Sequence, residues 1–291
     1  MQVKRRLAVT AVLACVVLGM ALGWVYIAIG KCDVPAAVMK GELTTLRLVL
    51  LLKPHIIENR TDAGASLLYV ALTESPAPIP MCEFLLDHGA DTNRTLDTGL
   101  SVLLKVLLND PQNRKVRLLV ARGATVDWYS AAALGDLPRM QQFCRQNPNW
   151  LNGQVLNGGT ALHFAVRSQQ RKAVEWLLGH GADPNAKDQV GHTPLHLVPR
   201  WLGISDVGEN LQMARLLLDH GADPNIVGPR GMTPLHSAYE LSNAEYINVL
   251  LSHGADSCVK DADGRTPVDV ATDLHRTQVL ERLRQIVDAK Q

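Results

Sequence analysis

The sequence repeats a segment that contains two kinds of metal-binding side chain. The letters HGADPN occupy residues 180–185 and again 220–225, so that a histidine stands three positions before an aspartate in each copy. Imidazole nitrogens and carboxylate oxygens are common zinc ligands. The segment could therefore belong to a metal site, to a catalytic pair or to a recurring turn.

A second set of histidines could act as general bases, because the histidine pKa lies close to neutral pH. His163, His196 and His236 each end a short motif, TALH or TPLH. No nucleophile recurs beside them in an arrangement of the triad type. Their recurrence at one position of a motif favours a shared structural hydrogen bond over catalysis.

These motifs mark an internal repeat. The threonines of GGTALH, GHTPLH, GMTPLH and GRTPVD stand at 160, 193, 233 and 266, which gives spacings of 33, 40 and 33 residues. A period near 33 indicates a stack of similar units. The segments GHTPLHLV…ARLLLDHGADPN and GGTALHFAV…AVEWLLGHGADPN resemble the ankyrin repeat. The resemblance implies an all-α solenoid of helix pairs joined by β-hairpin-like loops.

Weaker copies extend the repeat towards the N-terminus. Ser66 and Ser101 stand where the threonine belongs, and two further units centre on Gly41 and Gly135, at an offset of 94 residues that suggests an internal duplication. We therefore expect an ankyrin-repeat domain of about eight helix pairs in residues 31–291. Its clearest repeats are 156–187, 188–227, 228–260 and 261–291.

Each motif residue has a structural role in this interpretation. Thr193 can cap a helix, and Pro194 suits the first helical position, where an N–H would be unpaired. Gly181 and Gly221 can take the left-handed conformation that ends many helices, and Asp183 suits a turn. Equivalent histidines of stacked repeats would lie roughly 8–10 Å apart, whereas ligands of one zinc ion lie within about 4 Å of each other. We predict no metal, no cofactor and no catalytic residue.

The first thirty residues do not belong to the repeat. Residues 1–6 carry Lys4, Arg5 and Arg6, and residues 7–30 carry no charge. As a helix, this run would extend about 36 Å, enough to cross a bilayer. A cleaved signal peptide, with secretion of the rest, is the alternative. Because the cations precede the run, the positive-inside rule predicts a single-pass inner-membrane protein with a cytoplasmic N-terminus and a periplasmic repeat domain.

One repeat is longer than its neighbours. From Thr193 to Gly221 the distance is 28 residues, whereas it is 21 in the repeats on either side. Pro199 removes a backbone donor, so we expect the first helix to stop near Val198. The loop that follows contains Trp201, which can either anchor an interface or fill the space left by the shortened helix.

The resemblance implies that partners contact the hairpin tips and the concave surface of the first helices. We place the partner-binding residues on the long loop and on two neighbouring tips, because these tips combine apolar and polar groups beside an unusual loop. The predicted residues are Gln189, Val190, His192, Trp201, Ile204, Asp206, Arg230 and Met232.

The predicted function is that of a membrane-anchored protein–protein interaction module. In bacteria, anchored repeat proteins of this kind include immunity proteins that cover the active site of a secreted antibacterial toxin such as a phospholipase. The alternative is a periplasmic scaffold that protects or organises another enzyme, such as catalase, in the stress response. With 29 Lys+Arg against 28 Asp+Glu, the chain lacks the basic excess of a nucleic-acid-binding protein. On the 197–210 loop, Asp206 and Glu209 are the only carboxylates, and they stand without a base or nucleophile. We expect no enzymatic activity and no small-molecule substrate.

Overall fold

The computed structural model describes residues 33–52, 56–57, 66–73, 79–93, 100–109, 114–155, 157–198, 207–240 and 243–273. The predicted anchor at 7–30 and the loop residues 199–206 lie outside these ranges. Among the residues that are described, no helix combines the length and the apolar character needed to span a bilayer.

The described residues form α-helices, short 3-10 turns and isolated bridges, and no β-strand. Seven helix pairs and the first helix of an eighth lie within them. The helices are α1 (Val34–Met39), α2 (Leu43–Leu52), α3 (Leu67–Thr73), α4 (Ile79–Asp87), α5 (Val102–Asn109), α6 (Arg114–Ala121), α7 (Trp128–Leu134), α8 (Leu137–Gln146), α9 (Ala161–Arg167), α10 (Arg171–Gly179), α11 (Pro194–Leu197), α12 (Val207–Asp219), α13 (Pro234–Glu240), α14 (Ala244–Ser252) and α15 (Pro267–Asp273).

The chain divides into two compact units, Met1–Thr92 and Asn93–Gln291. In the first unit α1 packs against α2 and α3, and α3 packs against α4. In the second unit the first helices of successive pairs, α5, α7, α9, α11 and α13, pack against one another in order, and α13 packs against α15. The second helices α8, α10, α12 and α14 form a parallel series of contacts. The second unit is therefore a stack two helices deep, as the repeat predicts.

The core of the second unit lies between these two layers. It is formed mainly by small and branched aliphatic side chains, including the fully buried Ala161, Leu177, Leu217 and Leu250. Burial of one leucine side chain contributes about 1.5–3 kcal/mol. Because each repeat supplies residues to the same continuous core, the repeats stabilise their neighbours.

The first helix of the long repeat ends where the sequence predicts. The helix α11 is only four residues long, and Val198 is its C-terminal cap. The next helix begins at Val207. The prediction of a helix end near Val198 is thus confirmed.

The loops between repeats have the hairpin-like backbone that was predicted. We define tip 1 as residues 187–192, tip 2 as residues 227–232 and tip 3 as residues 260–265. Each tip is closed by a hydrogen bond from a backbone N–H to the carbonyl of the residue before the threonine position. The N–H groups of Asp188, Gly228 and Asp261 donate to the carbonyls of His192 (2.9 Å), Met232 (2.8 Å) and Arg265 (2.9 Å), respectively.

Candidate functional site

The histidine and glycine of HGADPN end a helix. The Nδ1–H of His180 donates to the carbonyl of Trp176 at 2.7 Å, and His220 makes the same bond to Leu216 at 2.9 Å. Gly181 follows with a φ of 90°, in the left-handed region. The predicted helix stop is confirmed, and both imidazoles have a structural role.

The last asparagine of HGADPN joins one repeat to the next. Asn185 Nδ2 donates to the carbonyl of Gly221 at 2.9 Å, and Asn185 Oδ1 accepts from the Asp223 N–H at 2.8 Å. Asp183 shapes the preceding turn by accepting from the Asn185 N–H at 2.8 Å. The same two bonds recur at other repeat junctions, through Asn93, Asn152 and Asn225.

The TPLH histidines also connect repeats. His196 Nδ1 accepts from the N–H of Thr193 at 3.2 Å and lies 2.8 Å from the Thr193 hydroxyl. Because this nitrogen accepts, the proton is on Nε2, which donates to the carbonyl of Met232 at 3.2 Å. His163 and His236 make the same bonds, to the carbonyls of His192 and Arg265. The predicted shared hydrogen bond is confirmed.

Burial holds these three histidines in the neutral form. Desolvation lowers the pKa of His163 and His236, and it lowers the pKa of His196 to about 4. A neutral imidazole with both nitrogens engaged is not available as a general base near neutral pH. The histidines instead fix the positions of the tips.

A groove lies between α9 and tip 1. It encloses about 220 Å³ and combines apolar with polar side chains, as protein-binding surfaces do. Its lining includes Phe164 and Arg167 of α9, Leu197 of α11, and Gln189, Val190 and His192 of tip 1. The structure therefore brings three of the predicted residues together at one groove.

Tip 1 presents an apolar side chain from a fixed backbone. Val190 is 63% exposed. The Asp188 carboxylate accepts from the N–H groups of Val190 and His192 at 3.0 and 2.8 Å, and it lies 3.3 Å from His192 Nδ1. Gln189 donates its N–H to the carbonyl of Asn157 at 3.0 Å. These bonds hold the backbone of tip 1 in place, which lowers the cost of ordering it on binding.

Tip 2 lies beside tip 1. Lys187 Nζ donates to the carbonyl of Val227 at 2.9 Å. Arg230 is 75% exposed in its side chain, and its guanidinium lies 3.8 Å from the Asp263 carboxylate. The φ of Arg230 is 56°, in the left-handed region that residues other than glycine rarely adopt. Met232 is half-buried and supplies the carbonyl that binds His196.

The other predicted residues, Trp201, Ile204 and Asp206, lie outside the described residues. Binding through the predicted residues stays a prediction. Sequence reasoning missed Phe164 and Arg167, although the resemblance already implied that first helices contact partners. The signal for Phe164 is a difference between repeats. TALHFAVR has phenylalanine where TPLHLVPR has leucine.

Comparison with known proteins identifies the repeat. A family model for ankyrin repeats, in three copies, matches residues 128–226 and 201–290. These matches include α7 to α15 and the groove.

Individual relatives share only segments with this chain. A bovine (Bos taurus) mitochondrial disaggregase is 30% identical over 122 residues, which cover 38% of this chain and 18% of that protein. A putative ankyrin repeat protein of fowlpox virus, FPV031, is 34% identical over 93 residues, or 28% of this chain and 27% of the viral protein. A Caenorhabditis elegans homologue of the transient receptor potential cation channel subfamily A member 1 is 34% identical over 80 residues, or 27% of this chain and 7% of the channel.

The chain thus spans less than a third of the length of these relatives. With the family model covering more than half of the sequence, the chain belongs to the ankyrin-repeat family.

Proposed function

We propose that the partner of this protein binds at the groove between α9 and tip 1. Ankyrin repeats are protein–protein interaction modules, so the open question is which surface binds. The observation that carries the proposal is the exposure of Val190, 63%, on a tip whose backbone is held by the Asp188 carboxylate. An exposed apolar side chain on a backbone that is already held in place can be buried in a partner at little cost in ordering.

Tip 2 extends this surface. Val227 is 43% exposed, and Arg230 projects from the same tip. Arginine is enriched at binding hot spots. The proposed interface therefore runs from Arg167 across Val190 to Arg230.

The module is further proposed to act outside the cytoplasm, on a membrane anchor at residues 7–30. The uncharged length of this run supports the proposal, and so does the start of α1 at Val34, only a few residues later. Leu48 and Leu51 of α2 are 48% and 77% exposed, a feature compatible with a position close to lipid. The partner would then be a protein encountered at the membrane surface.

In its most specific form, the proposal is an immunity function. The chain would cover the active site of a secreted antibacterial enzyme, such as a phospholipase. Support comes from the array of tips, which are held by hydrogen bonds. Such an array would cover the active site of a partner without any catalytic residue. A stoichiometric inhibitor of this kind is effective only where it meets the toxin, which fits a periplasmic location.

Site-specific photocrosslinking tests this function. A photoreactive residue replaces Val190 in the full-length, membrane-bound chain, and the matched control carries it at Gln142, which is exposed on α8. We expect position 190 to crosslink one dominant soluble enzyme whose activity is lost on adding one equivalent of the chain. Crosslinking only to envelope assembly factors, or equally from both positions, would contradict the proposal. A reporter fused after Gln291 that is active in the cytoplasm would overturn the location.

A further inference from the structure

A second cavity in the Asn93–Gln291 unit has the composition of a receptor for a cation. It encloses about 310 Å³ between α5, α7 and the segment around Gly153. We propose that this cavity receives an arginine side chain of the partner protein. The inference rests on the proposed function, because it names the chemistry of the partner that binds there.

Three aromatic residues line the cavity. They are Trp128, Tyr129 and Trp150, and the apolar side chains of Leu104 and Val155 complete the wall. The Trp128 and Trp150 rings lie edge to face, with centroids 6.4 Å apart. Aromatic rings attract cations through the negative potential at their faces, and tryptophan and tyrosine do so best.

The cavity also contains a carboxylate, that of Asp127. One of its oxygens, Oδ1, caps α7 by accepting from the Ser130 N–H at 2.7 Å. Within the described part of the chain, no lysine or arginine pairs with this carboxylate. Burial and the charge of Asp127 together raise the pKa of Tyr129, so the carboxylate lies within electrostatic reach of the ring. A cation that entered would meet this carboxylate and the partly exposed rings of Tyr129 and Trp150, whereas the Trp128 ring is itself buried.

The cavity coincides with a break in the histidine bridges. At the position of His163, His196 and His236, α7 has Ser130 and α5 has Leu104. The Ser130 hydroxyl lies 3.5 Å from that of Ser101, on the neighbouring repeat. The two repeats that form the cavity thus lack the imidazole that joins the later ones.

Size and shape favour arginine as the occupant. Pockets for small molecules measure about 300–1,000 Å³, so this cavity suits one side chain and is small for a nucleotide-sized ligand. A guanidinium is planar and weakly hydrated, stacks on aromatic rings and binds a carboxylate through two N–H groups. The rings of Tyr129 and Trp150 and the Asp127 carboxylate offer these partners in one place.

The test uses small probes and needs no partner protein. The full-length chain is labelled with ¹⁵N-tryptophan and titrated with N-acetylarginine amide, with its neutral isostere N-acetylcitrulline amide, and with choline. We expect the arginine probe to shift the indole resonances of Trp128 and Trp150, and the citrulline probe to bind about tenfold more weakly, because its contacts lack charge assistance. Equal binding of the two probes, or no saturable shift with arginine, would overturn the proposal. Tighter binding of choline would also overturn it, in favour of a quaternary ammonium headgroup.

A matched pair of variants identifies the carboxylate. Asp127→Asn removes the charge and keeps a good helix cap, since asparagine and aspartate cap equally well. Asp136→Asn makes the same change at the cap of α8, outside the cavity, where the carboxylate already pairs with Arg139. We expect about a tenfold loss of arginine binding in the first variant and none in the second. Equal affinities in the two variants would refute the role of Asp127. Failure of these tests would leave the groove at tip 1 in place, since that groove is tested separately at Val190.

Discussion

The ring of Tyr129 meets the ring of Phe164 edge to face, with the centroids 5.7 Å apart and the planes at 75°. Tyr129 lines the acidic aromatic cavity, and Phe164 lines the groove beside tip 1. The cavity and the groove are therefore neighbours, and the contact between these two rings separates them. A single partner segment that places an arginine in the cavity would lie next to the groove.

The bridging histidines make stability depend on pH. Well above pH 6.5, His196 is neutral in both the folded and the unfolded chain. Its protonation then has no effect on the free energy of unfolding. As the pH falls, the unfolded chain takes up a proton near 6.5, whereas the folded chain does so only near 4. The free energy of unfolding should therefore fall between pH 6.5 and about 4, by about 3 kcal/mol for this residue.

Urea unfolding at pH 7 and pH 4.5 measures this effect. A His196→Gln variant, which cannot titrate, should lose part of the pH dependence. If wild type and variant respond to pH equally, the buried neutral state of His196 is wrong.

The asparagine of HGADPN should matter more for stability than its exposure suggests. Asn185→Ala removes two bonds to the next repeat and leaves the carbonyl of Gly221 without this donor. We expect a loss of about 1–3 kcal/mol in the free energy of unfolding. Asn149→Ala, at an exposed position of a 3-10 turn, is the control and should change stability by less than about 0.5 kcal/mol. Equal losses in the two variants would mean that Asn185 does not join the repeats.

The tips stack closely enough to require glycine at particular positions. A methyl group at Gly231 would lie 2.6 Å from the backbone nitrogen of Ala262, whereas one at Gly254 would meet nothing within 4 Å. Both glycines have left-handed φ, of 74° and 84°. Both alanine variants should therefore lose about 1–2 kcal/mol to backbone strain, and Gly231→Ala should lose more because tip 3 must move. Thermal unfolding of the two variants compares them directly, and an equal loss would contradict the stacking of tips 2 and 3.

Arg230 separates binding from stability. Its φ of 56° is tolerated by asparagine better than by most residues. Arg230→Asn should therefore keep the free energy of unfolding within about 0.5 kcal/mol. If the guanidinium contacts the partner, the dissociation constant should increase by about tenfold, as for a loss of 1.4 kcal/mol. Unchanged affinity would remove Arg230 from the interface.

The sequence predicts most of the scaffold because its signals are local. The proline in the sequence at 199 predicts the helix end near Val198, and Gly181 takes its left-handed conformation where a helix stops. The repeat spacing likewise predicts which histidines are equivalent.

The contacts between repeats could not be predicted from local signals. The bond from Asn185 to Gly221 depends on how closely two repeats stack. The same is true of the groove, to which α9 contributes Phe164 and Arg167 from a helix whose pattern indicates only burial. His192 and Met232 were predicted for their side chains, but it is their carbonyls that bind the histidines of the preceding repeats.

The most direct test of the binding surface is the affinity of the crosslinked partner for two variants of equal charge change. Val190→Lys places a cation on the apolar tip beside the groove, and Gln142→Lys places one on α8. Measured by calorimetry with the full-length chain, Val190→Lys should weaken binding by at least about tenfold, as expected for burying a charge in an apolar contact, and Gln142→Lys should bind as the wild type does. If Val190→Lys binds with wild-type affinity, the groove at tip 1 is not the partner site.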